Sequence, residues 1–253
     1  MDASRFAASQ PTIYNLLEML GLLASATAGL VVAGYHTMAP RSQLYGHTFV
    51  GRPAGTKSIA LTFDDGPNDP YTFQMLEVLA KHGAQATFFM IGEYVDHRPG
   101  IARAVVQAGH AVGNHTYTHP NLILRSRWQL QDEINRCERA LSDAIGDRRS
   151  KLFRPPFGGR RPATLRAVRR AGLTPTLWSV TGWDWNADPA EKIERKVQAQ
   201  IRGGDVVLFH DGSHLQFGGD RSQTVKATDS LLARYKAEGY QFQTIPDMMG
   251  PPT

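Results

Sequence analysis

The chain of 253 residues contains a single cysteine, Cys137. One cysteine excludes an internal disulfide framework and any cysteine-rich metal site, but it does not indicate a compartment, because many secreted proteins lack disulfides. Cys137 falls on the apolar stripe of a predicted helix. We therefore expect a packed, unreactive thiol rather than a nucleophile.

The sequence also has no internal repeat and no low-complexity tract, and charged residues make up only 20% of it. With 42% hydrophobic residues, these are ordinary globular values that do not suggest disorder. The length suits one large domain, and an α/β barrel of this size is commonly a single unit. We predict an apolar segment with the start of a lead-in over 1–40, a linker or lead-in over 41–57, and one domain over 58–253.

Lysine is scarce beside arginine, although the net charge is +5 and the sequence pI is about 9.4. The arginines cluster between Arg160 and Arg170. This balance suits an anionic polymer or a membrane surface, but a solvated helix face explains the cluster more simply. No nucleic-acid partner is predicted.

Formal charge is nearly absent from the stretch that begins at Ile13 and ends at Tyr35, where Glu18 is the one charged residue. The stretch has the length of a membrane span or a signal peptide. An uncleaved anchor, an export signal cleaved near residues 24–26 and a soluble amphipathic helix all remain open. Glu18 and the weak positive flank at Arg5 count against the first two, yet we favour export or membrane attachment, with the cytoplasm as the alternative location.

Beyond residue 57, short apolar runs alternate with helical patterns, which predicts a parallel α/β fold. Strands are predicted at 58–64, 86–91, 111–114, 152–154, 174–180, 206–210 and 241–244. Helices are predicted at about 70–83, 99–108, 126–145, 162–172, 189–201 and 224–238. We expect capping boxes over 126–129 and 188–191, and Asn68 or Asp69 as the cap of the first helix in this set.

Two adjacent carboxylates, Asp64 and Asp65, follow the first apolar run, and Gly66-Pro67 then turns the chain. Like charges repel, so such a pair is typical of a site where one carboxylate binds a metal and the other does acid-base work. An ordinary turn with Asp as a turn residue is the simpler alternative.

Other polar segments follow the later strands, at 115–120, 154–159, 181–185 and 208–212. In a closed parallel barrel the carboxyl ends of the strands meet on one face, so these segments would surround a single mouth. His115 and His119 are four positions apart, which lets both imidazoles address one ion. With one carboxylate they would form a two-histidine, one-carboxylate set. That set also occurs in non-haem iron oxygenases, but the extra acid-base groups Asp64 and His210 favour hydrolysis.

Taken in order, these five segments resemble the motifs of the polysaccharide deacetylases, the NodB-homology or carbohydrate esterase family 4 proteins, over roughly residues 58–245. The resemblance implies a distorted (β/α) barrel of about seven strands. It also implies hydrolysis of N-acetyl, and occasionally O-acetyl, groups on a sugar polymer. The family's metal ligands, usually of one zinc ion, match Asp65, His115 and His119.

The resemblance assigns the remaining roles residue by residue. Asp64 matches the catalytic base and Arg154 the arginine that tunes it, His210 matches the acid, and Asp184 and Trp185 match the fourth motif. On chemical grounds we expect Asp184 to favour the imidazolium form of His210. Substrate contacts are expected from the backbone N–H of Phe157, and from Trp185 and Leu208. Trp183 is a further candidate for the aromatic wall, although plain core packing would explain each of these aromatic residues equally well.

Two positions depart from the family pattern. Thr181 stands where another aspartate is frequent, so part of the surrounding network must differ. Phe157 stands where tyrosine is frequent, which removes a hydroxyl but not the backbone donor.

We therefore expect a monomeric, zinc-dependent deacetylase outside the cytoplasm, with cobalt or another divalent ion as an alternative metal. Its partner would be an acetylated amino-sugar polymer such as peptidoglycan, chitooligosaccharide or exopolysaccharide. A cytoplasmic relative that cleaves a non-sugar amide and a catalytically silent glycan-binding module remain as alternatives. Specificity would come from groove loops such as 212–224, from which the sequence does not identify the polymer.

Overall fold

The computed structural model describes residues 13–250, with side chains described from Leu16 onward. The predicted flank at Arg5 lies outside these residues. The strands are β1 Ser58–Gly66, β2 Ala86–Met90, β3 Ala111–Asn114, β4 Leu152–Phe153, β5 Thr174–Pro175, β6 Val180–Thr181, β7 Asp205–His210 and β8 Gln241–Phe242. The α-helices are α1 Ile13–Met38, α2 Tyr71–Lys81, α3 Gly92–His97, α4 Pro99–Gln107, α5 Arg127–Ile145, α6 Pro162–Arg170, α7 Ala190–Gln200, α8 Ser222–Ala237 and α9 Ile245–Met249.

The strands form one sheet in the order β5-β4-β3-β2-β1-β7-β6, with β8 added beside β1. Every pairing between these strands is parallel. β1 is central and buried along its whole length, as expected for a strand of a parallel sheet covered on both faces. The predicted fold, a distorted (β/α) barrel, is confirmed.

Register places the ends of neighbouring strands at one level. Asp64 on β1 lies opposite Phe89 on β2 and opposite His210 on β7. The main apolar core lies between the sheet and the helices, and Phe63, Phe88 and Phe209 stack across three adjacent strands within it. Cys137 on α5 is fully buried in this core, as predicted. The polar residues at the strand ends therefore lie next to a closely packed apolar core.

The strand predicted over 174–180 is wrong as a single element. It is two short strands, β5 and β6, that lie at opposite edges of the sheet. Residues 176–179 connect β5 to β6 across the gap between the two edges of the sheet, so residues 174–180 cannot form one continuous strand. Phe49 bridges Thr176, which follows β5, and Gly51 bridges Asp205 at the start of β7. The segment over 39–57 thus packs on the domain as an ordered strap.

Local sequence signals had mixed outcomes. The capping box from Ser126 to Gln129 is present at the start of α5. The one predicted at 188–191 is wrong, because the Asp188 carboxylate pairs with Lys192 and Lys196 instead of capping α7. The cap predicted for α2 is also wrong. Asn68 donates instead to the carbonyls of Asp211 and Gly219, and so joins the end of β1 to a distant loop.

Helices α3 and α9 were not predicted. The strand expected over 241–244 stops at Phe242, and Thr244 then caps α9 by accepting a hydrogen bond from the backbone N–H of Asp247 at 3.2 Å. Both helices have at most six residues. Periodicity over so few residues carries little information, since a hydrophobic face needs two or more turns to become visible.

Candidate active site

The two carboxylates at the end of β1 are followed by a tightly packed turn. A Cβ on Gly66 would lie 2.5 Å from the Asp211 carboxylate, and one on Gly212 would collide with the Asp65 carbonyl. Only glycine allows this close approach of β1 and the segment after β7. Asp64 and Asp65 are each only 3% exposed, so both are presented to a sheltered space.

Asp65, His115 and His119 bring three potential ligand atoms together within 4.8 Å of one another. Asp65 Oδ1 lies 3.4 Å from His115 Nε2 and 3.2 Å from His119 Nε2. The histidines come from the segment after β3, which ends opposite β2. This group could hold a divalent metal ion.

The donors in this group fit a metal ion. His115 Nδ1 donates to the carbonyl of Arg154 at 2.8 Å, which leaves the lone pair of Nε2 facing Asp65. Asp65 Oδ1 is buried without a hydrogen-bond partner among the described residues. A buried carboxylate oxygen in that state requires compensation, and a cation between it and two imidazole nitrogens would supply it.

Protonation states in the group also suit a cation. Burial raises the pKa of Asp65, but the influence of the neighbouring histidines His115, His214 and His119 outweighs it and holds that pKa well below its usual value. Burial lowers the pKa of His119 to about 3, so its imidazole is neutral near pH 7. An ionised carboxylate and a neutral imidazole are the ligand forms that bind metals.

Asp64 is oriented by a different set of contacts. Arg154, which is fully buried, donates from Nη1 to Asp64 Oδ1 at 2.7 Å and to the Thr62 hydroxyl at 2.7 Å. The same guanidinium donates from Nη2 to the carbonyl of Leu177. Asp64 Oδ2 is left 3.7 Å from His115 Nε2. One oxygen is therefore fixed by the arginine while the other faces the metal-ligand group.

His210 lies on the opposite side, at the end of β7, and is oriented by Asp184. Its Nδ1 donates to Asp184 Oδ1 at 2.9 Å, and its backbone N–H donates to Asp184 Oδ2 at 2.8 Å. Thr224 on α8 donates to the same Oδ2 at 3.0 Å. Burial lowers the pKa of His210, but the charge and hydrogen bond of Asp184 raise it to about 9. The imidazolium form therefore predominates near neutral pH.

A cavity of about 430 Å³ connects these groups. The candidate residues that line it are Asp64, Asp65, His115, His119, Phe157, Trp185, Leu208 and His210. Arg154 and Asp184 lie behind this lining, in contact with Asp64 and His210. Trp183 is outside the lining, with the ammonium of Lys196 5.4 Å from its ring centroid, so its place in the aromatic wall is not supported.

His214 and Trp178 also line this cavity and were not identified from the sequence. The Nδ1 and the backbone N–H of His214 each lie 3.3 Å from Asp65 Oδ2. Its ring stacks on His119 with centroids 4.4 Å apart and meets Phe157 edge-on at 5.1 Å. His214 belongs to the 212–224 loop expected to control specificity, but no spacing rule links it to His115 and His119.

Backbone conformations mark the same region. Six non-glycine residues in the described part of the chain have positive φ, and five of them belong to the predicted site segments: Asp65, Thr116, His119, Phe157 and Trp183. Left-handed conformations are unfavourable for residues with a Cβ and concentrate at functional sites. The unfavourable backbone conformations therefore concentrate in the segments that bring the polar side chains together.

The chain belongs to the polysaccharide deacetylase family. Residues 51–176 match the sequence profile of that family, "Polysaccharide deacetylase". The prediction of an enzyme of this family is confirmed.

Three relatives illustrate the match. The chain is 36% identical over 204 residues to a chitooligosaccharide deacetylase of Bradyrhizobium sp. (strain ANU 289), covering 78% of this chain and 93% of that one. It is 37% identical over 202 residues to a peptidoglycan-N-acetylglucosamine deacetylase of Bacillus cereus, covering 78% and 90%. The crystal structure of the Bc1960 peptidoglycan N-acetylglucosamine deacetylase superposes with a TM-score of 0.74 at 33% identity, covering 79% and 91%.

Proposed function

We propose that this chain is a metal-dependent hydrolase that removes N-acetyl groups from an acetylated amino-sugar polymer. The observation that carries the proposal is the placement of two opposed acid-base pairs, Asp64 with Arg154 and His210 with Asp184, across one cavity from a group of potential metal ligands. Names of relatives support the substrate class, since they include chitooligosaccharide and peptidoglycan deacetylases.

Asp65, His115 and His119 would hold the metal ion, for which we propose zinc. A divalent cation there would lower the pKa of a water molecule and would polarise an acyl carbonyl. Asp64 accepts the proton of the attacking water, and its contact with Arg154 holds the carboxylate in a fixed orientation. Because Arg154 occupies Oδ1, proton transfer is assigned to Oδ2.

His210 gives its proton to the departing nitrogen. An amine leaves an acyl carbon only after protonation, whereas an alcohol departs more readily without it. A histidine whose pKa is raised to about 9 therefore suits an amide substrate better than an ester. This difference favours N-acetyl over O-acetyl groups as the principal substrate.

The cavity wall offers apolar and aromatic surface for the sugar. Phe157 and Trp185 are 48% and 44% exposed, so their ring faces are accessible to a pyranose. Leu215, in the same loop as His214, is 82% exposed at the rim. A cavity of about 430 Å³ takes an acetylated sugar unit, with neighbouring units of the polymer extending over the rim.

We also propose that α1 anchors the enzyme in a membrane, with the catalytic domain outside the cytoplasm. By length and composition Leu16–Met38 could cross a bilayer, and this stretch is not buried against the described domain. Cleavage near residues 24–26 would leave Leu30, Val31 and Tyr35 as an exposed apolar stub, at 65–74% exposure. Glu18 lies near the end of α1 remote from the domain, where a carboxylate can reach the far interface.

Acetate release tests the proposed activity. The full chain, purified in detergent and loaded with zinc, is assayed on chitin oligomers, peptidoglycan fragments, acetylated xylan and acetylated exopolysaccharide. We expect acetate from the amino-sugar substrates and little from acetylated xylan. Release from a small non-sugar amide alone would instead support a cytoplasmic amidase, and binding of the oligomers without acetate would indicate a silent glycan-binding module.

A further inference from the structure

The carboxyl end of α1 is bonded directly to the catalytic domain. Arg160, only 1% exposed, donates from its backbone N–H to the carbonyl of Thr37 at 3.1 Å and from Nη2 to the carbonyls of Ala39 and Ser42 at 2.7 Å each. From the strap, the Tyr45 hydroxyl donates to the carbonyl of Ala33 at 3.1 Å. A buried arginine thus satisfies carbonyl groups at the helix end that would otherwise need water.

If α1 spans a bilayer, these contacts mean that no flexible linker separates the membrane from the catalytic domain. The unburied stretch Leu16–Met38 has 23 residues, which at the rise of an α-helix is about 34 Å long, close to the ~30 Å hydrocarbon core. Met38 then lies at the boundary with the headgroups. Because Arg160 is hydrogen-bonded on either side of Met38, the domain begins at the headgroup layer.

Helix α6 lies along the same junction. It starts two residues after Arg160, and in its last turn Arg169 donates to the carbonyl of His47 at 2.8 Å. Leu165 and Val168 face the core, whereas Arg166, Arg169 and Arg170 are exposed. The sequence of α6 contains no acidic residue. The exposed arginines of α6 therefore belong to a helix that is bonded at its start to the end of α1 and in its last turn to the strap that follows α1.

We propose that α6 rests on anionic lipid headgroups while α1 spans the bilayer, so that the enzyme deacetylates glycan presented at the membrane surface. The proposal rests on the proposed function for its substrate. Cationic side chains beside a membrane-spanning helix are attracted by anionic lipid, and the attraction is lost within a Debye length. A domain joined through hydrogen bonds, unlike one on a long tether, keeps these side chains inside that range.

The same junction reaches the active site. Arg160 Nη1 donates to the carbonyl of Gly158 at 3.3 Å, and Phe157, the residue before, lines the catalytic cavity. Arg160 thus connects the cavity wall formed by Phe157 to the carboxyl end of α1.

Headgroup proximity tests the docking directly. The full chain is reconstituted in nanodiscs of phosphatidylcholine, with or without phosphatidylglycerol, containing a headgroup-attached quencher. Cys137 is buried, so a fluorophore can be placed selectively on Arg166→Cys in α6 or on Lys226→Cys in α8. α8 packs against α2 and α7, whereas α6 packs against α5, so the two labels report on different faces. We expect strong, phosphatidylglycerol-dependent quenching at residue 166 only; equal quenching at both positions overturns the docking.

A kinetic comparison tests the substrate preference. Acetate release is measured from a chitooligosaccharide attached to lipid in the same nanodisc and from the same sugar free in solution. Arg166→Glu/Arg170→Glu should lower the preference for the anchored sugar about tenfold and leave the soluble reaction unchanged. The charge-matched control Arg195→Glu/Lys226→Glu, on α7 and α8, should retain it. An equal loss in both variants contradicts the proposal, whereas quenching at residue 166 without any acetate release contradicts only the proposed function.

Discussion

Arg154 Nη1 lies 2.7 Å from Asp64 Oδ1, in a position where the guanidinium is fully buried and the carboxylate nearly so. The neighbouring Asp65 faces the other way, with its Oδ1 within 3.4 Å of two imidazoles and its Oδ2 against His214. Two carboxylates adjacent in the chain are thereby given different partners. This separation supports the proposal that Asp64 transfers the proton and that Asp65 binds the metal.

Amide replacements of the two aspartates should therefore have different effects. Asp64→Asn removes the base but leaves the ligand group intact, so we expect normal zinc content and a loss of kcat of at least about a hundredfold. Asp65→Asn removes an anionic ligand and should lose the metal together with activity. Zinc is measured by atomic emission and activity by acetate release. A metal-free Asp64→Asn protein would show that the two roles are exchanged.

The pair formed by His210 and Asp184 predicts a shift in pH dependence. His210 acts as an acid only while protonated, so kcat/KM should fall as pH rises through its pKa, which Asp184 raises to about 9. A divalent cation nearby opposes protonation of His210, so we expect the falling, alkaline limb of the pH profile at or below pH 9. In Asp184→Asn the raising charge is gone while burial still lowers the pKa, so the limb should move toward or below 6.5.

Asp188→Asn provides the control for this shift, since it removes an equal charge four residues away. Its carboxylate pairs with Lys192 and Lys196 instead of a histidine. The pH profile of this control should match that of the unmodified protein. A falling limb that stays in place in Asp184→Asn would mean that His210 is not the acid.

His214 is predicted to strengthen metal binding without being one of the three ligands. Its ring and backbone N–H groups both contact Asp65 Oδ2, which turns Oδ1 toward His115 and His119. Loss of such an orienting contact typically weakens metal affinity 10- to 100-fold, so His214→Ala should do so by about tenfold or more. Chelator competition measures the affinity. Leu215→Ala, at the exposed neighbouring position, should bind zinc normally, and unchanged affinity in His214→Ala would refute the role.

Arg154 should also contribute to stability. Arg154→Met leaves the buried Asp64 carboxylate without its partner, and we expect a loss of about 3 kcal/mol in the free energy of unfolding. The exposed pair of Arg234 and Glu238 offers a comparison, because Arg234→Met should change that free energy by less than about 1 kcal/mol. Urea unfolding of the two variants measures both values. A similar small loss in each would show that the buried pair adds little.

Much of the fold followed from local signals. Apolar runs ending at Asp64 and His210 predicted two strands, which the structure pairs side by side, and the capping box at Ser126 placed the start of α5. The error at 174–180 arose because one apolar run serves two edges of the sheet, and periodicity does not record where a chain leaves an edge. Asp188 was mistaken for a cap because lysines one and two turns ahead compete for its carboxylate.

The part of the site that belongs to short sequence motifs could be predicted from the sequence. His115 and His119 were recognisable because their spacing and their position after β3 are both visible in the sequence. His214 was not, since its contact with Asp65 depends on a loop folding back over 149 positions of chain. Trp178 was assigned to a strand, whereas it lies on the crossing between β5 and β6 and lines the cavity. Such contacts depend on tertiary packing rather than on any local pattern.

Metal dependence of acetate release from N-acetylglucosamine oligomers tests the central claim most directly. Activity is measured on the zinc-loaded full chain, after removal of the metal by a chelator, and after zinc is restored, with bound zinc quantified at each stage. We predict acetate release that disappears with the metal and returns in proportion to the zinc bound. Full activity in protein freed of metal would contradict the assignment of Asp65, His115 and His119 and the hydrolytic mechanism built on it.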